Sequence, residues 1–495
     1  MQPVTGLHIA SRLDPARFDI RLYHEDWHGP FNPAEAAGVD IVFLTGLQPD
    51  FDRMRQLSFA FRQAGALVVA GGMICSLFPE FASRFFDVIC VGGVDAVADI
   101  ARDFLTGQIR AIYRSDYLAP RDVKLDHGLL TRAGIRSPVL FIESSRGCGF
   151  RCSFCTIPAE GGGHVAYAVD AVRAAIDDAI ATSPRLSLRR LYPQIVFHDN
   201  NFSDDRAHLD AMLCMLAAHK RVRGWSAMIT QNVLADHALI ARMAASKCRQ
   251  LFVGLESLDP EALRRYNKKQ NLGRRGVTGD VAHAERLGIS IGYGYLFDPR
   301  FQTAGEMERE IRTIAQAPAL PMPIYLSLIA PLVGTAGFWE DVAHGRLAPN
   351  LLLRDLEGET IAYRPLADSP EALAATIDRL FRRPWEVTGR LPVLTKTLGR
   401  VFKAQTWNPM QWWIIAGANL HSFMWARAYP SRRHTYMAGE DVLDPQYLER
   451  PADLTDEDRA RYFDPIAVTD GEGRVMPWLL PHCPASVFAT GEEAA

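Results

Sequence analysis

The stretch Ser145-Arg-Gly-Cys-Gly-Phe-Arg-Cys-Ser-Phe-Cys155 contains three of the eight cysteines of this chain, and its spacing is C-x3-C-x2-C. It follows an apolar run, Val139–Glu143, that predicts a strand. Thiolates on one loop can bind three irons of a four-iron cubane and leave the fourth iron open to another ligand. We therefore predict that an iron–sulfur cluster is held by Cys148, Cys152 and Cys155.

A zinc site or free thiols would account for the three cysteines less well. A structural zinc site needs a fourth Cys or His ligand, and the nearest one, His164, lies nine residues beyond Cys155. Three free thiols are a weaker alternative than zinc, because exposed unpaired cysteines are prone to oxidation. A metal cluster is thus the first hypothesis, and zinc is the alternative.

The overall composition excludes several classes of protein. The 495 residues are 48% hydrophobic and 22% charged, with a formal net charge of −3, which argues against a nucleic-acid partner. The apolar stretch Trp412–Ala418 ends at Asn419, far short of the roughly 20 residues that a membrane span needs.

The amino terminus has no basic segment followed by an apolar core, so we expect no secretory signal and a cytoplasmic location. Eight cysteines are too few for a disulfide framework.

The first part of the chain alternates short apolar runs with helical patterns, as in a parallel sheet covered on both faces. Several runs end in glycine, where the backbone must turn tightly. The pattern predicts a Rossmann-like domain over residues 1–125, whose ligand lies beyond the carboxyl ends of the strands. The predicted strands are Phe18–Tyr23, Asp40–Thr45, Leu67–Ala70 and Val88–Val91, and the predicted helices between them are Phe51–Ala64 and Phe78–Phe85.

A second alternating series predicts a partial (βα)6 barrel of the TIM type over residues 126–333, with its active site at the strand carboxyl ends. Residues 334–495 contain many Pro and Trp residues and predict a mostly helical region. Its tryptophans are expected either to cover an apolar substrate or only to anchor the terminal helices. The six predicted barrel strands are Val139–Glu143, Gln194–Asp199, Ser226–Thr230, Gln250–Glu256, Ile289–Leu296 and Ile324–Ile329.

The cysteine motif, directly after the first barrel strand, resembles that of the radical S-adenosylmethionine enzymes, whose hallmark is C-x3-C-x-aromatic-C. The resemblance implies a 4Fe–4S cluster whose open iron binds the amino and carboxylate groups of S-adenosylmethionine. An electron from the cluster, supplied by an external donor such as a flavodoxin or a ferredoxin, then yields a 5′-deoxyadenosyl radical. The residues that the resemblance assigns to S-adenosylmethionine are Phe154, Asp199, Asn200, Gln231 and Glu256.

Each of these residues also has a plainer interpretation. Phe154 alone predicts ordinary packing, and a run such as Asp199-Asn200 is more often a turn, because these side chains bond to their own backbone. Glu256 is equally well interpreted as an acid at a helix amino terminus.

Further segments resemble the branch of this family that carries an amino-terminal cobalamin-binding-type domain. They include Leu67-Val-Val-Ala-Gly-Gly72, Gly254-Leu-Glu-Ser257 and Ala330-Pro-Leu-Val-Gly-Thr335. This branch contains methyltransferases that act on unactivated carbons, among them enzymes similar to hopanoid methylases, and the anaerobic magnesium-protoporphyrin cyclase. The resemblance implies a corrin against the strand ends, facing the barrel mouth, at Thr45, Gly46, Gly71, Gly72, Gly92 and Gly93.

Several questions stay open at this point. Asp26-Trp-His28 begins like the Asp-x-His-x-x-Gly motif of other cobalamin proteins, but Phe31 stands at the glycine position, so His28 is interpreted as a loop histidine. Alternating tyrosines are expected to line a substrate pocket or merely to fill the barrel; they are Tyr293, Tyr295 and Tyr325. Methyl transfer to a small molecule competes with radical rearrangement or cyclisation beside a vestigial cobalamin domain, and with a non-catalytic iron–sulfur protein.

Overall fold

A four-stranded parallel sheet is formed by the apolar runs of the first region. The computed structural model describes residues 4–118, 125–272, 276–403, 409–425, 437–439 and 451–485. The strands pair in chain order, so that each strand adds to the same edge of the sheet. They are β1 (Ile41–Gly46), β2 (Leu67–Gly72), β3 (Val88–Gly92) and β4 (Ile112–Ser115).

Both faces of this sheet are buried, as its apolar strands require. Along β2, Val68 and Ala70 belong to one core cluster, whereas Val69 belongs to a second cluster on the opposite face. The helices of this region are Val4–Ala10, Glu25–His28, Phe51–Gln63, Met73–Leu77, Pro79–Ala82 and Ala96–Thr106.

One predicted strand of this region is wrong, and one strand was not predicted. Residues 18–23 are not a strand; Ile20 and Leu22 instead pack on a small cluster that includes Leu7 and Leu129. Their alternating apolar side chains are therefore buried by packing on this cluster, not by strand pairing. The unpredicted strand is β4, a four-residue edge strand whose pattern is interrupted by Arg114.

The second series forms a six-stranded sheet in which every pair is parallel, and the α/β fold class predicted from the sequence is thereby confirmed. Its order follows the chain from one edge to the other, as in a partial (βα) barrel. The strands are β5 (Leu140–Ile142), β8 (Gln194–Phe197), β9 (Gly224–Thr230), β10 (Cys248–Glu256), β11 (Ser290–Phe297) and β12 (Tyr325–Leu328), while β6 (Ser145–Cys148) and β7 (Gly163–Ala166) form a separate antiparallel hairpin.

Helices cover the outer face of the six-stranded sheet. Alternate strand residues such as Ile195, Leu251 and Ile291 share one apolar core with these helices. The helices of this region are Gly128–Arg132, Val169–Thr182, Leu188–Leu191, Arg206–Ala218, His237–Ala245, Pro260–Arg265, Val277–Arg286 and Ala304–Gln316; those that follow are Ala336–Ala343, Pro370–Arg382, Pro384–Thr388, Arg390–Lys403, Pro409–Trp425 and Asp456–Asp458.

The two sheets meet at the carboxyl ends of their strands. The buried side chain of Gln48, two residues after β1, forms two hydrogen bonds with the backbone of Val333, five residues after β12. Its Nε2 donates to the Val333 carbonyl (2.8 Å), and its Oε1 accepts from the Val333 amide (2.9 Å). Gly334 has a positive φ of 89°, and a Cβ there would lie 2.7 Å from Leu77, which follows β2. This contact fixes one set of strand ends against the other.

The helix Pro409–Trp425 lies at the opposite end of the barrel. Gln411 donates to the carbonyl of Arg249 at the start of β10, and Asn419 accepts from the amide of Met322 just before β12. The helix therefore does not cover the strand carboxyl ends, where the sequence allowed an apolar lid. Within the described part of the chain, no helix is both long and apolar enough to cross a membrane.

Candidate active site

The cysteine loop connects the two strands of the β6–β7 hairpin. Cys148 is the last residue of β6 and pairs with Gly163 of β7, so that Cys152 and Cys155 lie in the loop between them. All three side chains are half-buried. Burial raises the pKa of Cys148 and raises that of Cys155 to about 11, against a backbone hydrogen bond to each sulfur. Binding a metal here must therefore displace thiol protons.

A cluster and a single metal ion place different demands on the three thiolates. Among the described residues, no three His, Cys, Asp or Glu side chains converge closely enough to hold one metal ion. A zinc site needs such convergence, whereas three thiolates on a cubane each bind a different iron and need not meet at one point. His164, the fourth ligand considered for zinc, has its Nδ1 3.9 Å from a carboxylate oxygen of Asp204.

A buried carboxylate after β8 holds the start of the cysteine loop. Asp199 accepts hydrogen bonds from the Ser144 amide (2.7 Å), the Ser144 hydroxyl (2.6 Å) and the Ser145 hydroxyl (2.8 Å). Burial raises the pKa of Asp199 to about 7, although the three hydrogen bonds favour its charged form. The segment that enters β6 is thus tied to the end of the neighbouring strand.

The next two residues continue this contact along the loop. Asn200 accepts a hydrogen bond from the Gly147 amide (2.9 Å). Asn201 donates to Asp204 (2.8 Å) and, more weakly, to the Cys148 sulfur (3.9 Å). Asp204 in turn accepts from the Gly149 amide at 3.1 and 3.2 Å. Four residues of one strand-end loop therefore support the first cysteine and its neighbours.

Asp199 and Asn200 thus have a role besides the contact with S-adenosylmethionine assigned from the sequence, which stays a prediction. The structure places both side chains against the backbone of the cysteine loop, where their oxygens already accept hydrogen bonds. They therefore position the loop. Asn201 and Asp204, which complete the contact, were not predicted, although they belong to the same polar run.

The remaining residues predicted to bind S-adenosylmethionine lie at neighbouring strand ends. Gln231 follows β9, and its Oε1 atom is buried without a hydrogen-bond partner among the described residues. Glu256 is the last residue of β10 and has a positive φ of 62°. Its carboxylate forms an ion pair with the Lys268 ammonium, with Oε1 and Nζ 2.7 Å apart. The Lys268 ammonium lies 5.7 Å from the ring centre of Phe154. The structure thus brings Phe154 and Glu256 together through Lys268, a residue that sequence reasoning missed.

Only one of the three predicted pocket tyrosines faces the inside of the barrel. Tyr293 and Tyr295 lie in the core between sheet and helices, and their hydroxyls donate to the Pro321 carbonyl (2.9 Å) and to Glu310 (3.1 Å). Tyr325 instead stacks on Phe252 across the inner face, with ring centres 5.8 Å apart. Strand alternation relates residues to one face but does not say which face is inside.

The polar contacts of Glu143 at the first barrel strand were also missed. Glu143, directly after β5, is bound by two nitrogens of Arg146 (2.8 and 2.9 Å), by the Tyr167 hydroxyl (3.0 Å) and by His8 (3.2 Å). These contacts outweigh burial and lower the pKa of Glu143 to about 2. His198, after β8, lies edge-on to Phe141, and burial lowers its pKa. Nothing in the local sequence links His8 to Glu143.

Two of the glycines assigned to cobalamin leave room for the protein's own backbone, and the assignment itself stays a prediction. At Gly72 (φ 103°), a Cβ would lie 2.7 Å from the Gly46 carbonyl oxygen, and at Gly92 (φ 83°) it would lie 2.1 Å from that of Ser115. Their presence is therefore accounted for without a ligand. Thr45 and Leu47, by contrast, expose their side chains at the end of β1.

The contacts of Gly71, Gly93 and His28 neither favour nor oppose a cobalamin site. Gly71 and Gly93 lie at the same strand ends, and the Gly93 carbonyl accepts from the Ser115 hydroxyl (2.6 Å). His28 is hydrogen-bonded to the backbone of Ala133 (2.7 Å) and His24 (3.0 Å), as expected of a loop histidine.

Comparisons with known proteins identify what this chain is similar to. Residues 142–275 match the family model described as the radical SAM superfamily, so this part of the chain is a radical S-adenosylmethionine domain. The chain is 25% identical over 346 residues to the bacteriochlorophyllide d C-8(2)-methyltransferase of Chlorobaculum tepidum, covering 68% of this chain and 75% of the relative. It is 24% identical over 347 residues to the C-12(1)-methyltransferase of the same organism, covering 68% and 73%.

Solved structures show a shared fold. The radical S-adenosylmethionine methyltransferase TsrM from Kitasatospora setae, solved with tryptophan substrate and an analogue of S-adenosylmethionine, superposes with a TM-score of 0.58 at 16% identity. The superposition covers 86% of this chain and 97% of TsrM. A second structure of TsrM, with cobalamin and a 4Fe–4S cluster, gives a TM-score of 0.55 at 17% identity and the same coverage.

Replacing Asp199 with Asn should impair cluster retention although all three cysteines remain. An amide cannot accept all three hydrogen bonds as a carboxylate does, so the loop loses its anchor. Substitutions of residues that orient metal ligands cost about 10- to 100-fold in metal affinity. Iron and sulfide analysis after anaerobic reconstitution and chelator challenge measures the loss. Asp205→Asn removes an acid from the exposed helix start nearby and should retain the cluster; equal retention by both variants would contradict the anchoring role.

Replacing Gln231 with Leu should have opposite effects on stability and on binding. Removal of a buried acceptor without a partner should raise the unfolding free energy of the cofactor-free protein by about 1 kcal/mol. If Gln231 receives a ribose hydroxyl, the same change should weaken S-adenosylmethionine binding about tenfold. Denaturant unfolding and anaerobic equilibrium dialysis measure the two effects, with the exposed Gln63→Leu as control. Unchanged affinity would remove Gln231 from the binding site.

Proposed function

We propose that this radical S-adenosylmethionine enzyme transfers a methyl group to an unactivated carbon of a small molecule, with cobalamin as the methyl carrier. The observation that supports this proposal best is the meeting of the two parallel sheets. Both direct the carboxyl ends of their strands to one region, joined through Gln48 and Val333. Open parallel sheets bind ligands at these ends, so two cofactors bound there would be neighbours.

The cluster and S-adenosylmethionine would be held by residues around the cysteine loop. When bound, the cluster supplies the electron that cleaves S-adenosylmethionine to a 5′-deoxyadenosyl radical. Cys148, Cys152 and Cys155 would ligate three irons, while Asp199 keeps the loop in position. The external electron donor would be a flavodoxin or a ferredoxin.

The chain's own polar groups would fix the orientation of S-adenosylmethionine. The buried Gln231 oxygen, which has no partner among the described residues, would accept a ribose hydroxyl, and Glu256 offers a carboxylate whose charge is already balanced by Lys268. Phe154 supplies an apolar ring beside them. A ligand held by such groups is limited to few orientations, which is what the transfer of a single hydrogen atom requires.

The substrate would lie against the inner face of the barrel. Tyr325 and Phe252 form a stacked aromatic surface there, next to the strand ends that carry Glu256. Such a surface favours a flat or apolar substrate. The relatives are named for methylation of bacteriochlorophyllide d, and TsrM was solved with tryptophan; both are flat molecules.

Cobalamin would occupy the region between the sheets. Its support comes from the methyltransferase names of the relatives, from the TsrM structure that contains cobalamin, and from the exposed side chains after β1. Leu47 is 71% exposed at the strand end, where an apolar corrin face would cover it.

A second candidate is a radical enzyme that rearranges or cyclises its substrate beside a vestigial cobalamin domain. The glycine geometry favours it, because a Cβ at Gly72 or Gly92 would meet a carbonyl oxygen of the protein itself, so that both glycines are required without a ligand. The shape of these two turns needs no corrin.

Anaerobic reconstitution with iron, sulfide and hydroxocobalamin distinguishes the two candidates. After desalting, we expect about one cobalt per chain together with the cluster, as for one site per domain. Leu47→Glu should lose cobalt but keep iron, because a charge would then face the corrin. Leu105→Glu, the same change on an exposed helix position, should keep both. A wild-type protein with a cluster but no cobalt would contradict the cobalamin proposal and favour the second candidate.

A further inference from the structure

The helix Arg390–Lys403 has an apolar side that faces solvent. Leu391, Leu394, Leu398 and Phe402 recur at helical spacing on one side, and their exposed fractions are 71%, 50%, 55% and 83%. Single exposed leucines are common on protein surfaces, but a continuous apolar stripe indicates an interaction site.

The same helix directs two of its four charged side chains, Lys396 and Arg400, inward. Lys396 donates to the backbone carbonyl of Ile314 at the end of a barrel helix, and Arg400 forms an ion pair with Glu285. Both basic side chains are buried. Burying charges while exposing leucines is the reverse of an ordinary surface helix in water. We therefore expect the exposed apolar stripe to contact something other than water.

The neighbouring helix extends this surface. Pro409–Trp425 contains no charged residue, and its Trp413 side chain is 72% exposed. We define the barrel-base surface as Leu391, Leu394, Leu398, Phe402 and Trp413. It lies at the amino-terminal end of the barrel strands, because the same helix bonds to Arg249 and Met322 there.

The composition around this surface indicates what it contacts. The described residues 387–403 and 409–425 contain four Lys and Arg residues, of which Arg390 and Lys403 are exposed, five aromatic residues and no Asp or Glu. Since the chain has 57 acidic residues in 495, an even distribution would place about four in 34 residues. Basic and aromatic residues beside exposed leucines are typical of segments that lie on an anionic membrane surface.

We propose that the barrel-base surface binds the surface of an anionic lipid bilayer, with the leucines and aromatic rings among the acyl chains and the exposed Arg390 and Lys403 near the headgroups. A second copy of this chain fits less well, because two faces that expose these basic residues would repel each other. An acidic electron-transfer protein also fits less well, since the surface lies at the end of the barrel opposite the cysteine loop.

Vesicle sedimentation with the full chain tests this proposal. The protein should sediment with phosphatidylcholine vesicles that contain phosphatidylglycerol, should bind pure phosphatidylcholine vesicles more weakly, and should be released as salt is raised. Leu394→Glu combined with Leu398→Glu should lower the partition coefficient at least about tenfold, because two apolar contacts become charges repelled by the lipid.

A matched control uses two leucines that are exposed elsewhere. Leu186→Glu combined with Leu188→Glu changes the net charge equally but lies outside the barrel-base surface, so it should bind vesicles like the wild type. All variants should retain the far-ultraviolet circular dichroism of the wild type, since the changed residues are exposed. If both double variants lose binding equally, net charge alone accounts for it and the proposal fails.

Two further results would overturn the proposal. One is wild-type protein that stays in the supernatant with both kinds of vesicle. The other is a dimer in light scattering that Leu394→Glu and Leu398→Glu dissociate without any vesicle binding, which would assign the surface to a second copy. A blue shift of tryptophan emission with anionic vesicles would support the membrane proposal if it is lost in Trp413→Phe, because it would show that Trp413 had left water.

Discussion

The loop that carries the three cysteines must hold three thiolates apart on one cluster while it leaves a fourth iron accessible, and a loop alone has too much freedom to do this. The polar run after β8 removes that freedom. Asp199 fixes Ser144 and Ser145, Asn200 fixes Gly147, and Asp204 fixes Gly149. Because β8 is paired with β5, the barrel itself sets the position of the loop.

The contact between the two sheets gives the rest of the molecule its arrangement. Gln48 satisfies both backbone groups of Val333 in a buried place, where an unpaired amide or carbonyl would cost about 1 to 3 kcal/mol. The contact directs the ends of β1 and β2 to the mouth of the barrel. A methyl carrier on one sheet and a radical source on the other would then face one substrate, which is the physical basis of the proposed reaction.

The sequence predicted the six barrel strands and the cysteine loop because both depend on local patterns, namely apolar runs and cysteine spacing. It failed where the outcome depends on distant partners. Residues 18–23 alternate like a strand but pack on Leu7 and Leu129, and Tyr293 and Tyr295 share a face that only the packing of helices against the sheet shows to be the outer one. The roles of Asp199 and Lys268 likewise depend on loops that chain order does not bring together.

The electron paramagnetic resonance spectrum of the reduced, reconstituted protein, recorded with and without S-adenosylmethionine, tests the central claim most directly. The claim is that the anchored cysteine loop leaves one iron open for this cofactor. A ligand on that iron changes the cluster's electronic structure, so the account predicts a clear change of the signal when S-adenosylmethionine is added. An identical spectrum at saturating S-adenosylmethionine would contradict it.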